Sequence, residues 1–109
     1  MKAPKKKRLE AAGWKVGTAG DFLGLSPEEA RIVEMKLALG DSLRRHRIRR
    51  HWTQLDLAKR LGSSQSRVAK LETGALGVTL DLMFRALFVA GVSTDEIARE
   101  LRTRRRSAA

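Results

Sequence analysis

The chain is 109 residues long and carries 23 Lys and Arg against 12 Asp and Glu, a net charge of +11. That length suits one small domain with a compact core and leaves no room for a large multi-domain enzyme. Cysteine is absent, which removes disulfide scaffolds, Cys-ligated zinc and thiol catalysis, and no apolar run reaches the ~18 residues of a membrane span.

The first 25 residues read as a basic arm and a Gly-punctuated segment. A Lys run fills residues 1–8, with no apolar h-region of a secretory signal behind it, and Gly13, Gly17, Gly20 and Gly24 follow. Trp14, Phe22 and Leu23 are candidate anchors, and residues 21–25 a candidate turn of helix. The Lys run is open to three readings: a minor-groove arm, a nuclear-import-like motif or a solvated tail.

Ser26-Pro27-Glu28-Glu29 is a strong helix start. Ser26 caps, Pro27 needs no amide partner at the first helical position, and Glu29 stands where a capping box closes. Ile32, Met35, Leu39, Leu43 and His46 keep helical spacing, and Val33 and Leu37 widen the stripe, predicting one helix over 27–50. Gly40 inside it marks a close approach or a slight break, at about 1 kcal/mol against Ala.

Thr53 caps a short second helix, Gln54 to Leu61, with Leu55, Ala58 and Leu61 on one face and Gly62 as terminator. Ser64 caps a third, Gln65 to Glu72, with Val68 and Leu71 inward and Thr73-Gly74 ending it. Thr79 caps a fourth over 80–90, apolar almost all round, which is therefore either central to the core or supplied with a second partner surface. Ser93 or Thr94 caps a fifth, with Ile97 and Leu101 inward, dissolving into a basic tail at 102–109. No strand pattern and no internal repeat appears. The fold class is all-α, with the body over 26–101.

Charge is segregated along the chain: +5 over 1–20, −3 over 21–43, +8 over 44–71, −3 over 72–101 and +4 over 102–109. A concentrated basic block is the footprint of a polyanion partner, though charge alone does not choose among DNA, RNA and an anionic membrane. An aromatic share of 5 % and the absence of Tyr argue against a stacking platform for single strands.

The block contains two short helices joined by a glycine turn, a helix-turn-helix signature. The spacing Gln54-x3-Ala58-x3-Gly62 is demanding, because Ala58 must be small for the second helix to cross over it. The stretch from Thr53 to Gly74, ending Leu71-Glu72-Thr73-Gly74, resembles the XRE family of Cro-type repressors, and the likeness extends over about 40–92. The resemblance implies a five-helix, lambda-repressor-like DNA-binding domain, here with an extended first helix and basic flexible termini. It also implies major-groove reading by the helix at 65–72. Gln65 is then the leading base reader, able to pair with adenine N6 and N7, with Ser66 and Lys70 beside it and Lys70 suited to guanine or a phosphate. Gln54 would hold a phosphate and brace Gln65. Ser64, Arg67, Arg49, Arg50 and Arg60 are candidate phosphate contacts among a larger set of arginines, several of which are plain solvated face. In this repressor type an Arg late in the first helix pairs with the Glu closing the third. Arg47 and Glu72 match, with two independent surface charges as the alternative.

No catalytic set, cofactor cradle or metal cluster stands out. His46 and His51 are five apart with no carboxylate cluster. His46 reads as a core-edge residue and His51 as a helix C-terminal charge. The expectation is a non-enzyme without cofactor or metal, partnered by double-stranded DNA, as a homodimer, in the bacterial cytoplasm on the nucleoid and not on a membrane. The dimer surface would be the fourth helix together with Ile32, Met35 and Leu39, unless these bury one another within a subunit. The pattern Gly20-Asp-Phe-Leu-Gly-Leu-Ser-Pro-Glu-Glu29 is more loosely similar to small bacterial regulators, many of them antitoxins of HigA-like pairs. Three functions therefore compete. One is a sequence-specific repressor, with its own operon as a candidate target. The second is a toxin-neutralising module, which a neighbouring toxin gene would support. The third is an RNA- or ribosome-associated factor, which equal affinity for structured RNA would support.

Overall fold

The computed structural model describes residues 24–108, with side chains through Arg102. The basic arm and its Lys run, the candidate anchors Trp14, Phe22 and Leu23, and most of the predicted turn at 21–25 lie outside those residues. Five helices and no strand occur among the described residues: α1 (Pro27–Arg49), α2 (Gln54–Leu61), α3 (Gln65–Glu72), α4 (Leu80–Val89) and α5 (Thr94–Ala108). The fold is all-α.

The chain divides into two units, 1–34 and 35–109. In the first, the predicted start of α1 is a closed capping box. The Glu29 amide donates to Ser26 Oγ at 3.2 Å, and the Ser26 amide donates to Glu29 Oε1 at 2.9 Å. The bond from the Ser26 amide holds the Glu29 carboxyl below its ordinary pKa.

In the second unit a core forms around Leu39, Leu43, Leu57, Leu71, Met83 and Leu87, all essentially inaccessible to water. Gly40 proves to be a close approach, and α1 runs through it unbroken. A Cβ at Gly40 would stand 2.5 Å from the Leu71 carbonyl oxygen and 2.8 Å from that of Glu72. Only glycine lets the two backbones cross so tightly. Gly74 repeats the device from the other side: its Cβ would meet the backbone of Lys36 and Leu37 at 2.9 Å, and its φ is +67°. The last turn of α3 is thus wedged against α1 by two glycines.

α1 ends one residue earlier than its pattern suggests. The Trp52 amide bonds back to the Arg47 carbonyl and that of His51 to Ile48, a Schellman closure in which His51 takes φ +60°. His51 is therefore a left-handed cap residue, where the sequence shows only a helix-end charge. The α2–α3 turn has the expected form, with Gly62 at φ +70° and open space around it.

Three further expectations are corrected. Leu55 is 48 % exposed, and the buried face of α2 is Leu57, Ala58 and Leu61. At roughly 100° per residue Leu55 stands about 115° from the centre of that arc, whereas Gln54 falls near the centre. Leu39, assigned to a possible dimer surface, is fully buried in the core, while Ile32 and Met35 are exposed. Finally, α5 continues to Ala108 where a separate tail was expected from 102. Arginine is a good helix former, and cations favour the negative end of a helix dipole.

α4 is central to the core on one side and exposed on the other. Met83, Ala86 and Leu87 are buried, while Phe88 is 53 % exposed and stacks on Phe84 with ring centroids 6.5 Å apart. α5 also begins with a capping box, Ser93 with Glu96. Glu96 also accepts from His46 Nε2 at 2.9 Å, tying α5 to α1.

Candidate nucleic-acid interface

α3 is presented by the rest of the fold. Ser64 Oγ caps it by accepting the Arg67 amide at 3.1 Å. Val68, Leu71 and Glu72 are buried, and Gln65, Ser66, Arg67 and Lys70 are exposed. At roughly 100° per residue, Ser66 and Lys70 crown the arc opposite the buried face, with Gln65 on one flank and Arg67 on the other. Ser64, Ser66, Arg67 and Lys70 line a groove of about 190 Å³ whose far wall is Gly77 and Val78. Gln65 is exposed outside that groove. Four of the predicted site residues therefore converge, and Gln65 stands beside them on the first turn.

The inner end of α3 is held by a polar network. The Glu72 carboxylate, 3 % exposed, accepts from Arg47 Nε at 2.5 Å. A second bond runs from Arg47 Nη2 to Glu72 Oε1 at 3.1 Å. Arg47 also donates to the Trp52 carbonyl at 2.8 Å, and the Gln54 amide donates to Glu72 Oε1 at 3.1 Å. The ammonium-free geometry is a bidentate guanidinium–carboxylate pair, the strong form of such a contact. Gln54 is thus engaged with Glu72 at the inner end of α3. Its place at the centre of α2's inner arc directs its amide to the buried carboxylate.

The arginines sort by their partners. Arg50 Nε donates to the Ala90 carbonyl at 2.6 Å, covering the C-terminal end of α4, and its guanidinium lies 5.2 Å from the Trp52 ring. Through Nε the side chain fastens the end of α1 to that of α4. Arg60 stacks on the same ring at 4.2 Å, a cation–π contact that fixes its guanidinium. Arg45 pairs with Asp41 and with Glu100. Arg49 is exposed at the end of α1. Sequence reasoning missed Trp52, although a Trp between two arginine-rich helix ends is a visible signal for such stacking. It also missed Lys36, whose ammonium donates to the Leu76 carbonyl at 3.2 Å and the Val78 carbonyl at 2.6 Å.

Asp56 reciprocates the Thr53 cap of α2, taking the Thr53 amide at 2.8 Å, and that bond lowers its pKa. The His46 bond, followed by that of the Ser93 amide, lowers that of Glu96. Among the described residues no three His, Asp or Glu side chains gather as a metal site. No described helix is long and apolar enough to cross a membrane.

A family model described as a helix-turn-helix domain matches residues 38–101, more than half of the chain. The chain belongs to the helix-turn-helix domain family. The match opens within α1, closes in α5 and contains the whole of α2 and α3. Membership suggests a DNA-binding regulator. No curated protein and no solved structure matches the chain.

Proposed function

We propose that this helix-turn-helix protein is a sequence-specific DNA-binding transcriptional regulator that reads the major groove with α3. The observation that carries the reading is the division of α3 into a buried face and an exposed polar arc of Gln65, Ser66, Arg67 and Lys70. Lys70 suits guanine O6 and N7 or a phosphate, Gln65 suits adenine, and Ser66 pairs with either a donor or an acceptor edge. Ser64 and Arg67, on the groove's margin, and Arg49 suit phosphates, which fix register without reading sequence. The Arg47–Glu72 pair is architectural: it holds α3 at a fixed angle for reading. The net +8 over 44–71 supports a polyanion partner.

The repressor role and the kinship to XRE-type and HigA-like regulators draw on the sequence resemblance, as do the alternatives of toxin neutralisation and RNA association. A homodimer on a pseudo-palindrome is supported by the exposed Phe88 and its stack on Phe84. This reading places the protein on the bacterial nucleoid, in the cytoplasm.

The test is selection of preferred duplexes from random DNA, followed by binding of Gln65→Ala and Lys70→Ala to the selected site. Enrichment of one site, with each variant losing about 1–3 kcal/mol of discrimination at its own base pair, is the expected result. A pool that enriches no sequence contradicts the reading.

A further inference from the structure

Lys36 ties α1 to the loop between α3 and α4. Its ammonium takes two carbonyls of that loop, from Leu76 at 3.2 Å and Val78 at 2.6 Å, across some forty residues of sequence. Beneath it, Gly74 rests on the Lys36 and Leu37 backbone, so that only glycine fits. The loop is thereby held near its start, at Gly74, and again at Leu76 and Val78. Its residues Gly77 and Val78 form the far wall of the groove that Ser64, Ser66, Arg67 and Lys70 of the α3 side complete.

Peptide planarity makes this clamp directional. In a trans peptide the C=O and the following N–H point opposite ways. Drawing the Leu76 carbonyl toward Lys36 therefore turns the Gly77 N–H away from α1. Among the described residues that amide donates to no backbone acceptor. The carbonyl dipoles that would repel an anion are satisfied on the α1 side, and a donor is left facing outward beside two cationic side chains.

We propose that Lys36 is a positioning residue for DNA binding, which by clamping the Leu76 and Val78 carbonyls presents the Gly77 amide to a phosphate flanking the bases that α3 reads. This role rests on the DNA-reading function proposed above and adds to the same surface a contact that carries no sequence information. Lys36 itself touches no DNA.

The test uses the full chain and the duplex selected by the wild type, with single phosphates replaced in turn by neutral methylphosphonates. Wild type is expected to lose about tenfold in affinity when the phosphate opposite Gly77 is neutralised, the size of one hydrogen bond to a charged group. Lys36→Met is expected to bind the native duplex about tenfold more weakly and to be insensitive to that one replacement, while keeping its base preferences. Lys36→Arg, which retains cationic donors, is expected to recover the sensitivity. Should Lys36→Met fail to fold, Gly77→Pro removes the amide itself and is expected to lose sensitivity at the same phosphate. An unchanged phosphate profile in Lys36→Met overturns the role. So does uniform weakening at every phosphate with a lower melting temperature, which would make Lys36 scaffold only. A wild type that selects no sequence overturns the DNA-reading function and this role together, and so differs from failure of the role alone.

Discussion

The two ends of α3 are built on opposite plans. Its last turn is buried, crossed by α1 at Gly40 and Gly74 with no room for a Cβ, and locked through Glu72 to Arg47 and Gln54. Its first turn is exposed and held by little more than the Ser64 cap. Each plan serves the other. A helix of eight residues has little stability of its own, so the locked end must supply the rigidity that the presented end needs. Substitutions at the two ends should therefore separate cleanly into losses of stability and losses of binding.

The largest effect is expected at the lock. Arg47→Ala leaves the Glu72 carboxylate buried without its charge partner and should lower unfolding stability by about 3–5 kcal/mol. Chemical denaturation measures it, and a loss within experimental error would break the contrast. Gly40→Ala forces the α1–α3 crossing apart and should cost about 1–3 kcal/mol or more, since backbone cannot swing aside as a side chain does. At the presented end, Lys70→Ala should leave the melting temperature unchanged while relaxing base preference by about 1–3 kcal/mol in competition binding. Gly62→Ala sharpens the picture from a neutral position: with open space around it, only the left-handed backbone opposes a Cβ, at about 1–2 kcal/mol of stability. The smallest effect concerns acid. The carboxyls of Glu29, Asp56 and Glu96 titrate below their ordinary values because helix caps and His46 favour the charged forms. Their contribution is complete above the ordinary carboxylate pKa and is lost as pH falls through the lowered native values. Melting temperatures should hold near neutral pH and decline only on acidification into that range. A melting temperature that rises there would contradict the caps' role.

What the sequence discloses is local. The caps Ser26, Thr53, Ser64 and Thr79, the terminators Gly62 and Gly74 and the spans of α1 to α4 follow from neighbours a few residues apart, and the structure reproduces them with end shifts of a residue or so, whereas α5 runs on to Ala108. Gly40 is conspicuous in a helix, but choosing between a break and a crossing needs its partner, the Leu71–Glu72 backbone some thirty residues away. The polar arc of α3 is legible because Val68 and Leu71 fix its inner face. The contacts that Gln54 and Arg50 make within the fold escape the sequence for a shared reason: a long polar side chain reaches whatever tertiary neighbour comes near, here Glu72 and the Ala90 carbonyl, and that neighbour has no signature in local spacing. Lys36 is the extreme case, an ordinary lysine on α1 until the loop after α3 folds onto it. Leu55 lost its place in the core to Leu57 because in so short a helix two overlapping apolar arcs are available, and packing against α3 and α4 selects one.

The account's central claim is that the exposed arc of α3 reads sequence. Its most direct test is fluorescence anisotropy of the intact protein on its selected duplex beside a scrambled one, at about 50 and 200 mM salt. The account predicts a large preference for the selected site that persists at the higher salt, because base contacts do not depend on released counterions. Equal binding to both duplexes, collapsing together as salt rises, would contradict it.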